Sequence, residues 1–65
     1  MSDPEAIGAA IRAARKESGI SQEVLAELAG ISERTVRSIE SGSGSSSLAA
    51  VSAAANALGL RLAAL

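Results

Sequence analysis

Glycine and serine recur together at short intervals along the chain, and these recurring pairs limit the length of any helix. Gly19 is followed by Ser21, and Gly30 is followed by Ser32. Glycine readily adopts the left-handed conformation that ends a helix, and a serine hydroxyl accepts from the free amides that begin the next one. The pattern therefore predicts a series of short helices joined by tight turns.

Four helices are predicted from these signals combined with apolar residues at helical spacing. The first begins with Asp3 as its N-cap and Pro4 at its first helical position, and it ends at Gly19. The predicted N-caps of the other three are Ser21, Ser32 and Ser47. The apolar stripes that we expect to be buried are Ile7, Ala10, Ile11 and Ala14 in the first helix, Val24, Leu25, Leu28 and Ala29 in the second, and Leu48, Val51, Ala54, Ala55 and Leu58 in the fourth.

The bulk composition fits one small domain spanning residues 1–65 and excludes several classes of function. The 65 residues include no cysteine, no histidine and no aromatic residue. Disulfides, thiolate nucleophiles, imidazole catalysis and the usual zinc ligands are therefore excluded. The Gly/Ser-rich segment 42–47 lacks the lysine of a phosphate-binding loop and is interpreted as a flexible connector. We predict a protein that is not an enzyme and that has no cofactor, no catalytic residue, no metal site and no small-molecule substrate.

The third helix has one apolar edge and one basic, polar edge. At about 100° per residue, Val36 and Ile39 lie about 60° apart and define its inner face. The residues around the opposite direction are Arg34, Arg37, Ser38 and Ser41. On their own, the two arginines are consistent with solubilising charges. The arrangement of the neighbouring helices distinguishes that interpretation from a binding surface.

The second and third helices have the spacing of a helix-turn-helix over residues 22–41. Gly30 supplies the residue that tolerates positive φ in the turn. Ala26 supplies the small side chain needed where the two helices cross. The apolar residues Leu25, Ala29, Ile31, Val36 and Ile39 are what such a pair buries against a supporting helix.

The segment RAARKESGISQEVLAELAGISERTVRSIESG resembles the Cro and phage-repressor helix-turn-helix family, also called XRE-like. The downstream SSLAAVSAAANALGL is similar to the ending of that family. The resemblance spans residues 7–62 and implies an all-α, lambda-repressor-like fold, a compact bundle of four to five short helices around a central helix-turn-helix. The tail LRLAAL fits either a short extended strand or a last helical turn. The plain alanine and serine content suggests a simplified or engineered member.

The resemblance implies sequence-specific binding of double-stranded DNA, with a recognition helix at about residues 33–41 in the major groove and repressor-like regulation of transcription. The implied base-contacting residues are Glu33, Arg34, Arg37 and Ser38. The implied phosphate-contacting residues are Ser21, Gln22, Ser32, Thr35, Ser41, Ser43 and Ser45. Arg15 and Glu40 are implied to pair with each other and, with Ala26 and Gly30, to be structural.

Two features leave alternatives open. The loop at 43–46 carries no lysine or arginine, although many members of the family hold phosphate there, so we expect fewer phosphate contacts, less counterion release and weaker binding at a given salt concentration. The net charge of −1 and the exposed acids of the first two helices also suit a protein-interaction module, such as an antitoxin-like subunit.

The tail and the hydropathy pattern bear on assembly and location. Leu60 and Leu62 could pair two copies as a homodimer or could cover the core of one copy. No apolar run approaches the roughly 20 residues that span a bilayer, so we expect no membrane partner. The expected location is the cytoplasm of a bacterial-type cell, associated with the nucleoid.

Overall fold

The computed structural model describes residues 2–62, which form four helices and no strand. Helix α1 spans Asp3–Glu17, α2 spans Gln22–Ala29, α3 spans Glu33–Ser41 and α4 spans Leu48–Ala57. Helix α1 packs on α3, and α2 packs on both α3 and α4. The predicted all-α bundle of short helices is confirmed, and α2 and α3 form its central helix-turn-helix.

Serine side chains begin α2, α3 and α4 at the predicted positions. Ser21, Ser32 and Ser47 all have extended backbones, and each accepts from the amide three residues ahead. Each serine therefore satisfies one of the amides that have no partner within a helix. Gly30, with φ of 70°, ends α2 in the left-handed conformation and turns the chain toward α3.

The predicted N-cap of α1 was wrong by one residue. Ser2, rather than Asp3, is the N-cap, and its side chain accepts from the amide of Glu5 while the Glu5 carboxylate accepts from Ser2. This reciprocal capping box satisfies two groups at once, whereas Asp3 alone would satisfy one. Asp3 instead lies in the first turn, where its negative charge interacts favourably with the positive end of the helix dipole.

The core of the described residues is built from small and aliphatic side chains on all four helices. Its buried hydrophobic residues are Ile11, Leu25, Ala26, Val36, Ile39, Ala54 and Ala55. Four residues predicted to be buried, Ala10, Val24, Leu28 and Leu48, are exposed. Helix α2 packs through Leu25 and Ala26, so Val24 and Leu28 lie toward solvent, and Leu48 lies at the open first turn of α4.

Helix α1 meets α3 through a glycine that the periodicity of the sequence did not single out. Gly8 is buried, and a β-carbon built on it would overlap the carbonyl oxygen of Ile39. The same β-carbon would lie 3.3 Å from the carbonyl oxygen of Glu40 and 3.3 Å from the amide nitrogen of Gly42. The backbones of α1 and α3 therefore touch at this point, which fixes α3 against α1.

The C-terminal tail is neither helix nor strand as far as Leu62. Leu60 is partly exposed, and Leu62 packs against the edge of the core. The predicted alternatives of a strand or a last helical turn extend to residues 63–65, which lie outside the described residues.

Candidate nucleic-acid interface

An ion pair ties the inner side of α3 to α1. Arg15 donates from Nε to Glu40 Oε2 at 2.6 Å and from Nη2 to Glu40 Oε1 at 3.0 Å. Its Nη1 donates to the carbonyl oxygen of Ile20 at 2.9 Å. The Arg15 side chain is 11% exposed and the Glu40 side chain is 4% exposed. This two-bond geometry, largely withdrawn from water, holds α3 at a fixed position against α1.

Gln22 extends the same network to α2. Its Nε2 donates to Glu40 Oε1 at 3.2 Å, so one carboxylate accepts from both α1 and α2. The sequence placed Gln22 at a DNA phosphate and did not indicate this contact, because the partners are 18 residues apart. Within residues 2–62, Glu40 is the partner of the Gln22 amide nitrogen, so its second N–H is available at the start of α2.

The network shifts the pKa of both ionised partners. Burial alone would raise the pKa of Glu40, but the hydrogen bonds from Arg15 and Gln22 and the charges of Arg15 and Arg12 outweigh burial and lower that pKa overall. The hydrogen bond to Glu40 raises the pKa of Arg15 against the opposing effect of burial. Both groups are therefore charged at neutral pH, and their pairing stabilises the folded state.

The lowered pKa of Glu40 predicts a loss of stability in acid. Its contribution is complete above the unfolded-state pKa of about 4.3 and is lost as pH falls through the lower folded-state pKa, because the unfolded chain binds the proton first. Thermal melts followed by circular dichroism from pH 7 to pH 2 should show a shallower acid decline for Glu40→Gln than for the unmodified protein. Parallel declines would show that Glu40 contributes nothing to acid sensitivity.

The outward side of α3 carries two arginines in different states. Arg34 is exposed and is in no ion pair among residues 2–62. Arg37 donates from Nη2 to Glu33 Oε2 at 2.7 Å, one helical turn away. The side chains of this pair are 62% and 43% exposed, so water screens their attraction. Three of the four predicted base-contacting residues therefore lie together near the N-terminal half of α3.

The fourth, Ser38, is engaged with the loop that follows α3. Its hydroxyl lies 2.7 Å from that of Ser43 and 3.0 Å from that of Ser45, and the latter two are 2.9 Å apart. Ser41 donates to the carbonyl oxygen of Ser38 at 2.7 Å. We call Ser38, Ser43 and Ser45 the serine cluster. It gathers three hydroxyls, two of them predicted phosphate contacts, at the C-terminal end of α3.

The other predicted phosphate contacts lie at the starts of α2 and α3. Ser21 and Ser32 are the exposed N-caps, and Thr35 is half-buried with its hydroxyl 2.8 Å from that of Ser32. A helix start presents free amides and the positive end of the helix dipole, both of which favour an anion. The predicted phosphate contacts are therefore divided between the two helix starts and the C-terminal end of α3, where the serine cluster lies.

Arg12 is a cation of this region that the sequence patterns did not single out. It lines a shallow cleft between α1, α2 and α3 together with Arg15, Gln22, Arg37, Glu40 and Ser41. A signal was present, because Arg12 precedes Arg15 by three residues and therefore lies on the same side of α1. Three arginines and one glutamate give the cleft a positive balance, although the chain as a whole is negative.

Comparison with known proteins identifies the family to which this helix-turn-helix belongs. A family model described as helix-turn-helix matches residues 11–65. The chain belongs to the XRE/Cro-like helix-turn-helix family. That assignment makes it a DNA-binding domain of the kind found in transcriptional regulators, in agreement with the resemblance in the sequence. No curated protein shows significant similarity to the chain.

Two observations complete the description of this helix-turn-helix domain. Among residues 2–62, no group of three or more acidic side chains is placed to hold a metal ion. None of the helices in that part of the chain is long and apolar enough to cross a membrane.

Proposed function

We propose that this domain binds double-stranded DNA in a sequence-specific way, with α3 in the major groove, and acts as a repressor-like regulator. The proposal rests on one observation, which is that the inner and outer faces of α3 differ in the pairing of their charged side chains. Glu40 is held on the inner side by Arg15, while Arg34 stands exposed and unpaired within residues 2–62 on the outer side. A rigidly mounted helix with a free outward guanidinium meets the requirement for direct reading of base edges.

Arg34 supplies the first base contact in this proposal. Its guanidinium can donate two parallel hydrogen bonds to O6 and N7 of guanine, worth about 1–3 kcal/mol of discrimination against another base. Arg37 and Glu33 lie beside it, and Ser38 contributes through the serine cluster.

Phosphate contacts fix the position of the domain on the duplex without reading its sequence. We assign them to the helix starts at Ser21 and Ser32, to Gln22 and to the serine cluster. We add Arg12, because it shares the positive cleft with Gln22 and Arg37. Few of these groups are charged, so little counterion is released on binding, and we expect a modest affinity with a shallow dependence on salt.

Substitutions of Arg34 and Arg12 test the proposal through two different effects. The best duplex is first selected from a randomised library, and affinities are then measured for all its single-base variants. Arg34→Ala should relax the preference at one base pair, because it removes a base contact. Arg12→Ala should weaken binding to every duplex by a similar factor and reduce the salt slope by about 1, because it removes a phosphate contact.

Arg61→Ala is the matched control, since it also removes one exposed arginine but lies in the tail. It should leave the base preference unchanged. Selection of no duplex, or a base preference indifferent to Arg34→Ala, would defeat the proposal. A tight protein partner found in its place would favour the protein-interaction alternative.

Two copies are proposed to bind together, because one recognition helix reads only a few base pairs. Leu60 is partly exposed at the end of the described chain and is available to a second copy, whereas Leu62 already packs against the core. Mass measured in solution with and without a palindromic duplex distinguishes a preformed dimer from one assembled on DNA.

A further inference from the structure

We propose that Glu33 and Arg37 act as one unit that reads a single G·C base pair, with Arg37 on guanine and Glu33 on the paired cytosine. This inference rests on the proposed function and specifies how one part of α3 would carry it out. The alternative hypothesis is that Glu33 contacts no base and only weakens binding through its negative charge.

The two side chains are already joined in the DNA-free protein. Arg37 Nη2 and Glu33 Oε2 lie 2.7 Å apart, so a donor and an acceptor are presented side by side. Both side chains are well exposed, at 62% and 43%, and both lie in the first five residues of α3. Those are the positions from which a recognition helix reaches base edges.

The base pair offers a matching arrangement in the major groove. Guanine presents the acceptors O6 and N7, and cytosine presents the N4 amino donor. O6 and N4 are bonded to each other in the Watson–Crick pair, at roughly 2.9 Å, the usual length of such a bond. The protein's donor and acceptor are therefore spaced like the acceptor and donor of the base pair, and the four groups can close a ring of hydrogen bonds.

An A·T pair matches less well in either orientation. Adenine N6 could donate to Glu33, but thymine then offers Arg37 only O4, beside a methyl group, whereas guanine offers two acceptors. With adenine beneath Arg37, the guanidinium would face the N6 donor and Glu33 would face the O4 acceptor. The unit should therefore prefer G·C in one orientation over the three other pairs.

The Glu33–Arg37 ion pair also limits indiscriminate binding. A guanidinium already paired with a carboxylate gains less from a phosphate than a free one does, and the carboxylate itself repels the DNA backbone. Only a base pair that satisfies both side chains compensates for this, so Glu33 would sharpen specificity at a cost in general affinity.

A double-mutant comparison tests the unit. Glu33→Ala, Arg37→Ala and the double variant are measured against every single-base variant of the best duplex. Each single change should relax the preference at the same base pair by roughly 5- to 150-fold, the range that corresponds to one specific contact. The double variant should lose no more discrimination there than either single variant, because the two residues contribute one joint contact.

Glu27→Ala is the control, since it removes one exposed acid from α2 and changes the net charge equally. It should leave the base preference intact. The inference is overturned if Glu33→Ala tightens all duplexes by one common factor with unchanged preference, or if Glu33→Ala and Arg37→Ala relax different base pairs. Circular dichroism verifies that each variant is helical.

The failure of this inference is distinguishable from failure of the proposed function. If Arg34→Ala still relaxes its own base pair while Glu33→Ala leaves the preference unchanged, DNA reading stands and only the unit is wrong. If the unmodified protein selects no duplex, both are wrong.

Discussion

Replacement of Gly8 by alanine should destabilise the domain by about 3 kcal/mol, near the upper end of the cost of overpacking. The direction is opposite to helix propensity, since the same change in an exposed helix stabilises by about 1 kcal/mol. Here the added β-carbon would overlap the carbonyl oxygen of Ile39, and backbone cannot rotate aside as a long side chain can. A core of this size rarely supplies more than about 3–5 kcal/mol, so urea titration should show most of the stability lost.

Gly19→Ala is the control for Gly8. Gly19 has φ of 73°, and a β-carbon there would meet nothing within 4 Å. Its substitution carries only the left-handed backbone cost of about 1–2 kcal/mol. A stabilised Gly8→Ala protein would show that α1 and α3 do not touch through their backbones.

Glu40→Ala should cost about 3–5 kcal/mol, because it leaves the Arg15 guanidinium buried without its counterion. The outer face of α3 offers a matched comparison. Glu33→Ala breaks a glutamate–arginine contact of nearly the same length, 2.7 Å against 2.6 Å, but at 62% and 43% exposure rather than 11% and 4%. Its cost should stay below about 0.5 kcal/mol. Similar losses in urea for the two variants would show that burial does not govern the strength of these pairs.

A further variant separates the absence of the pair from the presence of an isolated charge. Arg15→Met combined with Glu40→Leu removes both ions and fills much of the same volume. Replacement of a buried pair by apolar residues is often close to neutral, so this protein should be more stable than Glu40→Ala. A double variant less stable than the single one would assign the loss to the missing contact itself.

The arrangement of helices could be predicted because the relevant signals are local. Ser21, Ser32 and Ser47 each satisfy an amide within one turn, and Gly30 adopts the conformation that its position requires. The N-cap of α1 also has a local signal, a serine followed three residues later by Glu5, and this capping box takes precedence over the Asp3-Pro4 pair.

The remaining features depend on contacts between distant parts of the chain. Periodicity ranked Ala10 as buried and ignored Gly8, although α1 and α3 come into backbone contact at Gly8, because a residue without a side chain adds nothing to an apolar stripe. The bond from Gln22 to Glu40 and the engagement of Ser38 with the loop likewise required coordinates. The charged outer face of α3 was predictable, but the pairing of Glu33 with Arg37 within it was not recognised.

The alanine-rich, aromatic-free core has a calorimetric consequence. Heat capacity on unfolding scales with the apolar surface exposed, and for 65 residues the usual increment gives about 0.8–1.0 kcal/mol/K. Alanines make up three of the seven buried hydrophobic residues in the described chain, so the heat capacity change on unfolding should lie toward the low end of that range. The stability curve should therefore be broad and flat, and the enthalpy at the midpoint should be small. The domain should melt gradually over a wide span of temperature, with only a modest change in stability near room temperature.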